Sequence, residues 1–200
     1  MEYPKPIKDL IEGYLALPGI GKKTAERLAL FTFSEMDEDA TKRLGEAIIN
    51  VKINLYRCPI CHNLSESESP CEICSDTTRD KSIVMVVETI KDVFIMEKMQ
   101  EYKGLYHVLD GAINFAAGIG VEDINIDTLI ARIATGEVKE LIIATNATTE
   151  GETTARYIKA LLDDYDIFIS RIAHGLPFGA DISYADEMTL LKAIEGRRKY

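Results

Sequence analysis

The pairs Cys58-Pro59-Ile60-Cys61 and Cys71-Glu72-Ile73-Cys74, nine residues apart, divide the chain into two parts of different periodicity. Two C-x2-C knuckles bring four thiolates to the tetrahedral distances zinc prefers and leave no open position, so a structural zinc ion is expected on Cys58, Cys61, Cys71 and Cys74. Unrelated buried cysteines do not fall in this pattern beside Pro and polar residues, and a disulfide pair does not suit a cytosolic chain. His62, next to Cys61, is a bystander when four thiolates are at hand. The stretch between the pairs is rich in Ser and Glu and cannot build a core by itself.

Before the cysteines the apolar period is helical. Ile7, Leu10, Ile11, Tyr14 and Leu15 share a face, and the run stops at the turn Leu17-Pro18-Gly19-Ile20-Gly21. A second helix is expected from about Lys22 with Ala25, Leu28 and Ala29 inward. Ala40, Leu44, Ala47, Ile48, Val51 and Leu55 mark a third, longer one.

After the cysteines the period changes. Ile83 to Val87 is a β-branched run suited to a strand buried on both faces, followed by a helical pattern from Lys91 to Glu101 and a strand at Tyr106 to Leu109. Gly111 to Asn125 carries weak signals. Then come a helix at about Asp127 to Ile133, a strand at Leu141 to Ala144, a helix at Gly151 to Leu162, a strand at Ile167 to Ile169 and a last helix near Asp186 to Glu195. Such alternation predicts a mostly parallel α/β sheet. The chain is therefore α+β and multidomain.

With 200 residues and 46% apolar side chains, disorder is excluded, and no apolar run is long enough to span a bilayer. The N-terminus shows no secretory pattern, so a cytoplasmic location with reduced thiols is expected. The net charge of −10 argues against a surface that coats nucleic acid throughout. Residues 1–57, however, hold nine Lys or Arg against nine Asp or Glu, so the remaining residues carry the whole −10 and a polyanion should meet the N-terminal part.

Chemistry concentrates in two further places. In the turn from Gly19 through Ile20 and Gly21 to Lys22, glycines permit a tight bend with backbone N–H groups facing outward at a helix N-terminus, which favours phosphate. Lys22, Lys23 and, one helical turn on, Arg27 add positive charge to the same side. A nucleotide-binding loop fits less well, because Lys23 stands where Ser or Thr should hold magnesium. On the sheet, Glu88 follows the first strand, and Glu150 and Glu152 follow Thr145-Asn146-Ala147-Thr148-Thr149. Ligands of open parallel sheets gather at strand C-termini, so these carboxylates are candidates for a magnesium site or remain solvated loop acids.

The turn resembles the helix-hairpin-helix motif, which grips the DNA backbone without reading bases. The placement of Glu88 resembles the Toprim fold, where a Glu and a later D-x-D hold the metal. Here Asn146-Ala147-Thr148 stands in place of D-x-D, and amide and hydroxyl oxygens do not supply the charge that draws magnesium from water, so a docking surface is expected instead.

Together with Ala144 to Thr154 and Ser170-Arg171-Ile172-Ala173-His174-Gly175-Leu176-Pro177, these features resemble the RecR family of bacterial recombination mediators over the whole chain. The resemblance implies four parts: a helix-hairpin-helix domain at 1–57, a four-cysteine zinc finger at 58–77, a Toprim domain at 78–175 and a tail at 176–200 for subunit packing. It implies a nucleoid-associated, non-catalytic protein that forms a tetrameric ring around DNA, acts with RecO and RecF, and helps load RecA on single-stranded DNA. Lys23 and Arg27 would be the principal DNA contacts, assisted by Lys22 and the Gly19–Gly21 backbone. Glu88, Asn146, Glu150 and Glu152 would form the partner-binding region. A stretch from Gly175 to Glu187 resembles one compared with Walker B, yet no Walker A accompanies it and ATP is not expected. His174 is expected to be a hydrogen-bonded loop histidine. The rival readings are a metal-dependent Toprim nuclease or primase-like enzyme and a zinc-containing RNA-binding protein.

Overall fold

A computed structural model describes residues 2–173, 175–176 and 179–197. His174, Pro177 and Phe178 lie outside them. The chain separates into two compact units, residues 1–55 and 56–200. No helix of the described residues is long and apolar enough to cross a membrane.

The first unit holds α1 (Lys5–Leu15), α2 (Lys22–Ser34) and α3 (Glu38–Ile53). Small Ala25 and Ala29, both fully buried, let α2 approach Ile11 of α1 closely, with Ile7, Leu10, Tyr14 and Ile20 packed around them. Tyr14 and Thr32 share a hydrogen bond of 2.9 Å between the two helices. Leu28 is only half-buried, because the alanines occupy the contact line. Asp37 caps α3 by accepting from the Ala40 N–H, yet α3 buries no residue, and Ile48 is 64% exposed. This helix ends at Ile53, so Leu55 lies beyond it, contrary to the expectation from its apolar period.

The second unit opens with a short antiparallel pair, β1 (Tyr56–Arg57) and β2 (Leu64–Ser65), then α4 (Glu72–Ser75). The sequence pattern indicates neither strand of this pair. Alternation follows: β3 (Asp80–Val87), α5 (Ile90–Glu97), β4 (Gly104–Val108), α6 (Ile126–Ala134), β5 (Glu140–Ile143), α7 (Thr149–Leu161), β6 (Phe168–Arg171) and α8 (Glu187–Glu195). The second sheet has the order β4-β3-β5-β6 and is wholly parallel, with Val84 beside Leu141 and Val86 beside Ile143. Its faces split by residue parity. Val84, Val86, Leu141 and Ile143 pack with Leu129 and Ile133 of α6 and Ile158 of α7, while Met85, Val87, Tyr106 and Val108 pack with Val93 of α5. Burial of both faces explains why β3 reads as a continuous apolar run.

Helix α5 stops at Glu97, short of the expected Glu101. Gln100 has φ 58°, a left-handed conformation that no helix continues through. Glu97 is instead an anchor. Arg79 donates to both its carboxylate oxygens and to the Gly104 carbonyl (3.1 Å), and the Tyr106 hydroxyl donates to it at 2.7 Å. Burial pushes the Glu97 carboxyl upward, but these hydrogen bonds outweigh it and hold the group below its ordinary range.

Candidate functional site

At the turn, Gly19 has φ 79°, a left-handed conformation that favours glycine, whereas Gly21 takes ordinary extended backbone (φ −88°) as the cap of α2. Only one of the two glycines thus needs its conformational freedom; both have open space around them. Ile20 tucks into the α1–α2 contact and fixes the bend. Gly21 has no side chain to accept from the first-turn N–H groups of α2, and that turn holds no acid. Lys22, Lys23 and Arg27 are exposed beside it. The arrangement presents free backbone donors, the positive end of a helix dipole and three cations together.

The four cysteine sulfurs lie within 4.8 Å of one another and are buried. Cys61 and Cys71 Sγ are 3.6 Å apart, against the roughly 3.8 Å that follows from tetrahedral Zn–S bonds of about 2.3 Å. The Cys71 N–H donates to Cys58 Sγ at 3.3 Å, an interaction that stabilises thiolate. One divalent ion at the centre would favour the thiolate at all four.

His62 is not among these ligands but does more than stand by. At φ 60° it lies between α6 and β4: its Nε2 and the Thr128 hydroxyl of α6 share a 2.8 Å hydrogen bond, and its ring meets His107 of β4 edge-on. His107 is fully buried, its Nε2 donates to the Asn125 carbonyl at 2.8 Å, and burial pulls its pKa to about 3. The Val108 N–H donates to the Cys61 carbonyl (2.9 Å) and Arg57 pairs with Asp110 (2.9 Å), so the knuckle is bonded to β4 and the loop after it.

At the C-terminal ends of the strands the expected acids do not converge. Among the described residues the four cysteines are the sole group of three or more His, Cys, Asp or Glu close enough to share a metal. Glu88 is 8% exposed, and its two oxygens accept from the backbone N–H (2.8 Å) and side-chain amide of Asn146. It therefore shapes the β5–α7 loop, and of the four residues expected at the partner-binding surface it is the one placed beneath that loop with both oxygens bonded. Where an Asp would repel Glu88, Asn146 clasps it. Gly151 completes the clasp, since a Cβ there would run into the Asn146 carbonyl oxygen. Thr148 caps α7, accepting from the Gly151 N–H at 3.1 Å. Glu152 pairs with Arg171 Nη2 at 2.6 Å, and Glu150 is half-buried in the first turn. Arg171 also donates to the Thr145 hydroxyl at 2.8 Å and ties β6 to this loop, a role the sequence hides among ordinary strand residues.

Comparison with known proteins follows the same order along the chain. Residues 7–52 match the RecR helix-hairpin-helix family, 55–76 the RecR four-cysteine zinc finger domain, 82–173 the Toprim domain and 175–198 the RecR C-terminal family. The chain is 58% identical over 199 residues to "Recombination protein RecR" of Enterococcus faecalis, covering 100% of both. The chain belongs to the RecR family. Proteins of the same name from Levilactobacillus brevis (54% over 198 residues, 98% of each chain) and Ligilactobacillus salivarius (54% over 200 residues, 100% of each) are similar throughout. As in the RecR zinc finger, Cys58, Cys61, Cys71 and Cys74 fit one structural zinc per chain.

Proposed function

We propose that the chain is a non-catalytic DNA-binding mediator of recombination and repair, and that the α1–α2 turn is its DNA contact. The observation that carries this reading is the uncapped, acid-free N-terminus of α2 flanked by Lys22, Lys23 and Arg27, which suits a phosphodiester and no base edge. Gly19, Ile20 and Gly21 shape the bend. The names of the relatives and the helix-hairpin-helix match support the same assignment.

One neutral N-terminal unit binds DNA weakly, so several are joined in a ring, for which the family's tetramer is the template. Support comes from apolar side chains left in water: Ile48 and Val51 on α3, Leu191 and Ile194 on α8. Linked copies multiply a weak contact through effective concentration, and closure retains the DNA. On this reading the four parts are the helical domain at 1–57, the zinc finger at 58–77, the Toprim domain at 78–175 and the subunit-packing tail at 176–200. The acidic rim near Glu150 and Glu152 repels DNA and receives a basic partner, RecO, with RecF also acting on the ring, so that RecA is loaded on single strands in the nucleoid-associated complex.

The rival metal-dependent Toprim enzyme needs Glu88 as a ligand, and Asn146 already holds that carboxylate. DNA titration at several salt concentrations tests the proposal. In duplex DNA the log-affinity against log-salt slope should fall by roughly 0.9 for each phosphate contact removed, so by nearly two units in Lys23→Ala/Arg27→Ala. An unchanged slope overturns the site, and magnesium-dependent strand cleavage by clean protein overturns the non-catalytic assignment.

A further inference from the structure

Between β4 and α6 the chain forms a small stiff finger that the sequence pattern leaves without a role. Asn114 and Ile119 exchange both backbone hydrogen bonds at 2.9 Å, closing its base. Within it a 3-10 turn, Phe115–Ala117, is capped by the Asn114 side chain accepting from the Ala117 N–H (3.0 Å), and Gly118 at φ 76° turns the chain back. Below the base, the Ile113 N–H donates to the Thr154 hydroxyl of α7 at 2.8 Å, the Gly111 N–H donates to the Glu88 carbonyl at 3.0 Å, and Ile113 and Ile124 enter the core. The finger is therefore anchored on the very elements that carry Glu150 and Glu152.

Its tip is apolar and faces water. Phe115 is 74% exposed, and Ala116, Ala117 and Gly118 are exposed with it. Holding an aromatic ring in solvent on a braced turn stabilises nothing within the described fold. The segment that bears it is acidic: residues 109–127 include Asp110, Glu122, Asp123 and Asp127 and no Lys or Arg, with Asp110 paired to Arg57 from outside the segment. Such a field repels nucleic acid, so the ring is no stacking platform for bases. An aromatic knob in an acidic setting has the form of an interface anchor: a central aromatic side chain that fills a pocket while charged residues around it select the partner.

We infer that Phe115 is the apolar anchor of the acidic rim and inserts into a hydrophobic pocket on a partner protein whose surrounding surface is basic. This rests on the rim being the RecO-binding face proposed above, and it adds a residue on which that affinity turns. The backbone that bears the ring needs little further ordering on binding, since the loop is already closed by hydrogen bonds.

Calorimetric titration of purified RecO from the same bacterium into the full-length protein, its Phe115→Ala variant and its Phe115→Tyr variant tests it. Truncation to Ala should weaken binding roughly thirty-fold, the size expected of a central aromatic anchor, while Tyr stays within about threefold of the native protein. Raising salt should weaken the native protein and Phe115→Ala in parallel, because the ring contributes apolar burial and no charge. Native-like RecO affinity in Phe115→Ala overturns the inference and leaves the rim assignment standing. Loss of single-stranded DNA binding or of self-association in that variant, with RecO affinity kept, also overturns it by assigning the ring to nucleic acid or to a second copy. Absence of RecO binding by the native protein overturns the partner reading itself and the inference with it.

Discussion

Two helices of this molecule begin just after a bend and differ in everything that surrounds the first turn. Helix α2 starts at a glycine with no capping oxygen and is followed by Lys22 and Lys23; α7 starts at Thr148, which caps it, and carries Glu150 and Glu152. Both have the same helix dipole. One leaves its N–H groups for an external anion, and the other satisfies one of them internally and surrounds the rest with carboxylates. The same backbone geometry thus serves opposite ends, and the side chains of one turn decide which.

The units that carry these helices also differ in what holds them together, and that difference sets the largest expected effect. The α1–α2 hairpin rests on a few side chains around Ala25 and Ala29, whereas the start of the second unit depends on a metal. Structural zinc binding is worth on the order of 10 kcal/mol in small domains. Chelation should unfold the knuckle and weaken assembly, read as later elution on sizing and a lowered melting temperature, while helical circular dichroism from residues 1–55 persists. Joint loss of both would show that the units are not independent.

Next in size is the contrast between the two helix starts. Lys23→Ala/Arg27→Ala should lose at least tenfold in DNA affinity at low salt, whereas Glu150→Gln should change it by less than about twofold. Equal effects in a binding titration would erase the distinction between the two turns. Gly151→Ala should cost about 1–3 kcal/mol in denaturant unfolding, because the new methyl collides with the Asn146 carbonyl and forces the clasp on Glu88 open. Gly21→Ala, with open space, should cost less than about 1 kcal/mol.

The smallest effect is electrostatic. Arg79 and Tyr106 hold the Glu97 carboxyl below its ordinary range, so its unfolded-state value is the higher one. That stability is complete above the ordinary Glu range and is lost as pH falls through the folded value. Glu97→Gln should remove this part of the acid limb of the stability curve and lower stability at neutral pH by about 1 kcal/mol, checked by urea melts between neutral and acid pH.

Much of the molecule is legible in its residues. Four cysteines in two knuckles announce their geometry by spacing alone, and β3, β5 and the helices between them follow from apolar period. The phosphate-suited bend is visible because glycine and lysine advertise conformation and charge locally. What stays hidden depends on partners distant in sequence. Nothing near Glu88 foretells that Asn146, fifty-eight residues on, takes both its oxygens. His62 reads as idle because Thr128 and His107 are far along the chain. The third helix reads as having an inward face yet buries nothing, because amphipathicity states that a face will be covered without stating by what. Only the composition of 109–127, acidic with one lone aromatic, hints at the finger.

The bond from the Val108 N–H to the Cys61 carbonyl has a bearing on how the protein fails. Strand β4 is the last in its row, and a bare outer strand invites another chain to pair with it. The folded knuckle occupies one donor of that margin through its own backbone. Losing the ion should therefore do more than loosen one small loop: it should free that donor on β4 for pairing with another chain.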